Sequence, residues 1–136
     1  MTNDQAPMTN DSIGAAVPKR DFDLAERTAV FGEAVIRFVR GLHRDDVNGP
    51  LVRQLVRSAT SIGANYAEAD EAGSRKEFQY RISVCVRESR ETQYWLRMIA
   101  AACPDSKELA RRHWQEAKEL TLVFGAIYRN TKPTAK

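Results

Sequence analysis

Strand signals are missing from this sequence: no run bounded by turn residues alternates apolar and polar side chains in twos. Cysteine and histidine are scarce, with two of each in 136 residues. Cys85 and Cys103 fall in one expected helix, about 27 Å apart at 1.5 Å per residue, which excludes a bridge between them. Buried thiols are the expectation. Di-iron bundles use Glu-x-x-His on two helices, but His43 and His113 are preceded at that distance by Arg40 and Ala110. There is no glycine-rich phosphate loop, no Cys-x-x-Cys pair and no Ser/His/Asp arrangement in a motif context. These gaps argue against catalysis and leave no catalytic, metal or cofactor-binding residues to assign. No apolar run approaches the roughly 18 residues of a membrane span. The opening MTNDQAPMTNDSIGAAVP has neither the basic start nor the apolar block of a secretory signal, so no membrane partner and a cytoplasmic location are expected.

What the chain does have is charge, unevenly placed. Its 21 basic and 18 acidic residues leave a net charge of +3, too small to establish a polyanion partner. Residues 58–73 hold three acids (Glu68, Asp70, Glu71) and no base. Residues 74–103 hold six bases against three acids, and residues 104–136 seven against four. Arg75, Arg81, Arg87, Arg90, Arg97, Arg111 and Arg112 are the candidate nucleic-acid contacts, because the planar guanidinium fork suits phosphate as well as carboxylate. If instead they pair with Glu77, Glu88, Glu91, Glu108 and Glu116 across helix seams, little net field remains.

Apolar residues recur at helical spacing in four segments. Residues 1–20, polar and small with Pro7, Gly14 and Pro18, read as a flexible tail, residues 21–131 as one bundle domain, and 132–136 as a second tail. Asp23, with Glu26 three residues on, caps the first helix, whose stripe is Leu24, Thr28, Phe31, Val35, Phe38 and Leu42. HRDDVNGP breaks it. Pro50 suits the first turn of a second helix with the stripe Leu51, Leu55, Ser58, Ile62, Tyr66 and Ala69. Ser74 and Glu77 form a capping box ahead of the third, which carries Phe78, Ile82, Cys85, Ser89, Thr92, Leu96 and Ile99 and stops before Pro104. Asp105 with Glu108 offers a cap for the fourth, carrying Leu109, His113, Ala117, Leu120, Phe124 and Ile127. Connections of a few residues make neighbouring helices antiparallel, and the predicted fold is an all-α, up-down-up-down four-helix bundle.

The stretch SATSIGANYAEADEAGS, residues 58–74, stands apart, with Gly63 and Asn65 inside a helix and three acids in four positions. Residues equidistant from the turn at Gly73 face each other, so Arg57 lies opposite Glu88 and Ser89, and Asn65 and Glu68 lie opposite the start of the third helix. Arg57, Ser58, Ser61, Asn65, Glu68, Glu88 and Glu91 thus converge on one seam. Two readings are open. The favoured one is a buried, register-fixing network in which Arg57 pairs with Glu88 or Glu91 and Asn65 bonds the backbone. The other is a small-ligand or metal pocket built on Asn65, Glu68, Glu88 and Glu91. Gly32, Gly63 and Gly125 sit within helices, where backbones that approach closely need glycine. Tyr94, Trp95, Trp114 and Tyr128 fit core or interface positions better than base stacking.

RSATSIGANYAEADEAGSRKEF followed by ESRETQYWLRMI resembles the four-helix-bundle proteins encoded in intervening sequences of bacterial 23S ribosomal RNA genes. The pattern Ser-Ile-x-x-Asn-x-x-Glu appears as Ser61, Ile62, Asn65 and Glu68. Ser-x-Lys-Glu-Phe appears as Ser74, Lys76, Glu77 and Phe78, and Glu-x-x-Glu-Thr-x-Tyr-Trp-Leu as Glu88, Glu91, Thr92, Tyr94, Trp95 and Leu96. Where many relatives have Glu-Gly, this sequence has Glu68-Ala69, and glycine arrives only at Gly73. The resemblance implies a homo-oligomer, commonly a pentamer, without established enzymatic activity. The functional expectation is a non-enzymatic adaptor or scaffold, with RNA or DNA and a protein among its candidate partners.

Overall fold

Helix α1 runs Leu24–Arg40, α2 Asn48–Asp70, α3 Arg75–Ala102 and α4 Lys107–Thr131, with a 3-10 turn at Pro104–Ser106. The computed structural model describes residues 23–131, and the expected tails at 1–20 and 132–136 lie outside them. Consecutive helices pack side by side, α1 on α2, α2 on α3 and α3 on α4, as an up-down bundle requires. The fourth side is thinner, with α1 meeting α4 at few points.

Local chemistry sets the helix ends. The Glu26 backbone N–H donates to Asp23 Oδ1 at 3.1 Å, and the Glu77 N–H to Ser74 Oγ at 3.1 Å. The capping box is completed differently from expectation, since the Glu77 carboxylate accepts from the Gly73 N–H at 3.2 Å rather than from Ser74. The Asp105–Glu108 cap does not form: Pro104–Ser106 turns as 3-10 and runs directly into α4, with the Ser106 and Lys107 N–H groups donating to the Cys103 and Pro104 carbonyls. Asp45 accepts from the Val47 and Asn48 N–H groups at 2.9 Å, and Asn48 Oδ1 accepts from the Asp45 N–H at 2.9 Å, a reciprocal lock hidden within the predicted break. The same Asn48 side chain, buried, donates to the His43 carbonyl at 2.7 Å and to Cys103 Sγ at 3.3 Å, tying the α1–α2 loop to the end of α3.

The core holds the expected stripes: Phe31, Val35, Leu55, Ile62, Ile82, Cys85, Leu96, Ile99, Leu120 and Phe124 are buried. One assignment fails. Leu109 is 48% exposed, and Ala110 takes the core position, because Ala110 stands two turns before Ala117 on the same face while Leu109 falls about 80° away from it. Gly63 marks a close approach of α1 and α2: a Cβ there would stand 3.1 Å from Thr28 Oγ1, whose hydroxyl is fixed by donation to the Leu24 carbonyl at 2.7 Å. At Gly32 a Cβ would meet Thr60 at an ordinary 3.7 Å, and at Gly125 only the flexible end of Arg129.

Candidate functional site

The α2–α3 seam separates into an outer ionic part and an inner hydroxyl part. Outside, Arg57 Nη1 donates to Glu88 Oε1 at 3.2 Å, while Nη2 makes a short contact with Glu91. Glu91 also accepts from the Trp95 indole N–H at 2.9 Å, and Arg57 Nε donates to Gln54 at 3.3 Å. The indole, then Arg57, holds the Glu91 carboxyl below its ordinary range, and the Arg57 guanidinium is raised, first by Glu91. The predicted partners are right but the predicted burial is not. The Arg57 side chain is 45% exposed and Glu91 38%, because both are long enough to reach the rim of the seam.

Inside, Ser58, Ser89 and Thr92 are fully buried. The Thr92 and Ser58 hydroxyls meet at 2.9 Å, and Thr92 donates to the Glu88 carbonyl at 2.8 Å. Thr121 of α4 meets Ser89 at 2.9 Å and Gln93 at 3.1 Å. A hydroxyl ladder therefore links α2, α3 and α4 through the core. Ser89 and Thr92 had been legible as core positions by spacing alone, and nothing in the spacing shows that Thr121 completes the ladder.

Further along, Asn65 Nδ2 donates to the Ser61 carbonyl at 2.9 Å and Asn65 Oδ1 accepts from Arg81 Nη1 at 3.0 Å. Arg81, expected among the nucleic-acid contacts, is thus half-buried and engaged by an amide, with its guanidinium 5.6 Å from the Tyr80 ring centroid. Ser61 contributes its carbonyl, and Glu68 is exposed and stands outside the network. Of the four residues of the pocket reading, Glu88 and Glu91 meet on Arg57, whereas Asn65 is engaged by Arg81 and Glu68 stands apart, so the four do not converge. Among the described residues, no group of three or more His, Cys, Asp or Glu side chains could hold a metal ion.

A second ionic clamp joins α1 to α4. Arg27 Nε and Nη2 donate to the two Glu116 oxygens at 2.8 and 3.0 Å, the parallel fork that guanidinium and carboxylate geometry favours. Glu88, Glu91 and Glu116 are thus paired with arginines of α1 and α2. Of the candidate contacts, Arg75 donates to the Thr131 carbonyl at 3.3 Å and Arg111 pairs loosely with Glu108 at 3.9 Å. Arg87, Arg90, Arg97 and Arg112 are exposed, without an ion pair among the described residues. Lys76, Tyr80, Arg87, Arg90, Tyr94 and Arg97 follow one outward stripe of α3, and Lys107, Arg111 and Lys118 recur along α4. Arg112 falls on a different side of α4, with Glu116 and Glu119.

This architecture defines a small antiparallel helical bundle with a hydroxyl-linked interior and a basic outer face. The chain belongs to the 23S rRNA-intervening sequence protein family, whose model matches residues 20–123. It is also similar to a crystal structure of a protein of unknown function from the S23 ribosomal protein family of Bacteroides thetaiotaomicron. The two are 25% identical, the match covers 77% of this chain and 94% of that one, and the TM-score is 0.70. No curated protein matches. No helix among the described residues is long and apolar enough to cross a membrane.

Proposed function

We propose that the chain is a non-enzymatic adaptor or scaffold that assembles as a homo-oligomer, with five copies the expected number, and holds RNA or DNA on the outer face of α3 and α4. The observation that carries this reading is the division of charge. Arg27 and Arg57 engage Glu116, Glu88 and Glu91, so the arginine stripe of α3 keeps its positive field. Tyr80 and Tyr94, 56% and 53% exposed, interrupt that stripe with aromatic surface, and Leu122 and Val47 add exposed apolar area suited to contacts between copies. Repetition around a ring would multiply a monomer charge of +3.

Titration of labelled RNA and duplex DNA at low and moderate salt tests the proposal. Weak non-specific binding, Kd about 10⁻⁴–10⁻⁶ M at physiological salt, is expected, with log affinity falling by about 0.9 for each duplex phosphate neutralised. Absence of binding at about 50 mM salt would overturn the nucleic-acid part and leave protein scaffolding. Light scattering tests assembly, and a monomer at tens of micromolar would remove it.

A further inference from the structure

Between the last turns of α3 and the first turns of α4 lies an open groove of about 390 Å³, within the size range of small-ligand sites. Its floor is apolar and shallow-walled because the side chains are small: Ala100 and Ala110, beside buried Leu96. Trp114 forms one wall. The rim is cationic, with Arg97 from α3 and Lys107 and Arg111 from α4, and no acidic side chain lines it. Lys118, one turn beyond Trp114, places its ammonium 5.6 Å from the indole centroid. Glu108 approaches Arg111 only at 3.9 Å, with both side chains well exposed, so the pair is screened by water.

Each half of this arrangement restricts the ligand. Three rim cations require an anion. An indole wall beside an alanine floor favours something flat and apolar next to that anion, and a peptide of carboxylate side chains alone would satisfy the rim while leaving the floor uncovered. Duplex nucleic acid also fails, since its bases are stacked inside and only phosphates reach the protein surface. An unpaired nucleotide meets both demands, with a π face for the ring and a phosphate for the rim. We infer that this groove is a one-nucleotide subsite for single-stranded nucleic acid, with the base packed against Trp114 and the phosphates held by Arg97, Lys107 and Arg111. The subsite rests on the outer-face reading and adds to it a preference for unpaired strands.

The test uses the full chain with a labelled uridylate decamer and labelled duplex DNA. Ala100→Phe fills the groove from a half-exposed position and leaves the outer stripe intact. It should weaken decamer binding about 5- to 160-fold, the range that base–aromatic stacking gives, and move duplex binding less than twofold. In a Trp95→Phe background, Trp114 is the remaining tryptophan, and the decamer should quench its emission while the duplex should not. Decamer binding unchanged by Ala100→Phe, with Trp114 emission unmoved, overturns the subsite and leaves the outer-face proposal standing. Failure of the wild-type chain to bind either nucleic acid overturns both. An oligoglutamate decamer that binds as tightly as the RNA and is equally sensitive to Ala100→Phe would make the groove a site for acidic peptides and overturn the assignment.

Discussion

Arg57 shows how exposure sets the worth of a contact. Removing one partner of a buried ion pair costs about 3–5 kcal/mol because the other charge is stranded, but Arg57 leaves behind Glu91 at 38% exposure, which water solvates, and Glu88 at 18%, which it reaches less. Arg57→Ala is expected to lower stability by about 1 kcal/mol in urea unfolding, the upper end for exposed pairs and well short of a buried one. The buried hydroxyls behave differently. Thr92→Val removes the partner of Ser58 and should cost about 1 kcal/mol, whereas adding Ser58→Ala should cost less than the two single losses together, since neither change then strands a polar atom. At Gly63 the gain in helix propensity is opposed by the pinned Thr28 hydroxyl, so Gly63→Ala should not stabilise. Gly32→Ala, with an ordinary contact, should raise the melting temperature. Burial pushes the Cys85 thiol up to about 12, so a thiol reagent at pH 8 should modify Cys103 in the folded protein and reach Cys85 only after unfolding.

Among the elements, what the sequence disclosed depended on range. Helix count, order and most core stripes follow from periodicity, which is a local property, and so does the Asp23 cap. The Arg57–Glu88 pairing followed from distance to the turn, since antiparallel neighbours with a short loop have a fixed register. Two things escaped. Burial of Arg57 could not be read because it depends on how far a side chain reaches past the seam, and the Trp114 groove could not because it needs the relative placement of α3 and α4. Asn48 escaped for a similar reason, its partners lying on two separate corners. Asn48→Ala is expected to cost about 1 kcal/mol by removing the bonds from its buried amide to the His43 carbonyl and the Asp45 N–H, which a denaturation midpoint would show.

For the molecule as a whole, pH acts through the α1–α4 side. His113 packs on Phe38 with ring centroids 5.1 Å apart, and burial, then Arg112, depresses its pKa below 6.5. With the folded value lower than the unfolded one, the contribution to stability is complete above about 6.5 and is lost as pH falls through the folded value, because the unfolded chain takes the proton first. Melting temperature should therefore decline on acidification below about 6.5, before the carboxylates titrate, and His113→Phe should flatten that part of the curve.

The thin contact between α1 and α4 also divides the bundle into parts that need not open together. With its packing mostly on α2 and its fastening to α4 concentrated in the Arg27–Glu116 fork and the Phe38–His113 contact, α1 can leave while the α2–α3–α4 hydroxyl ladder stays closed. Amide protons of α1 should then exchange with deuterated water through a partial opening, sooner than those of α3, which wait for global unfolding.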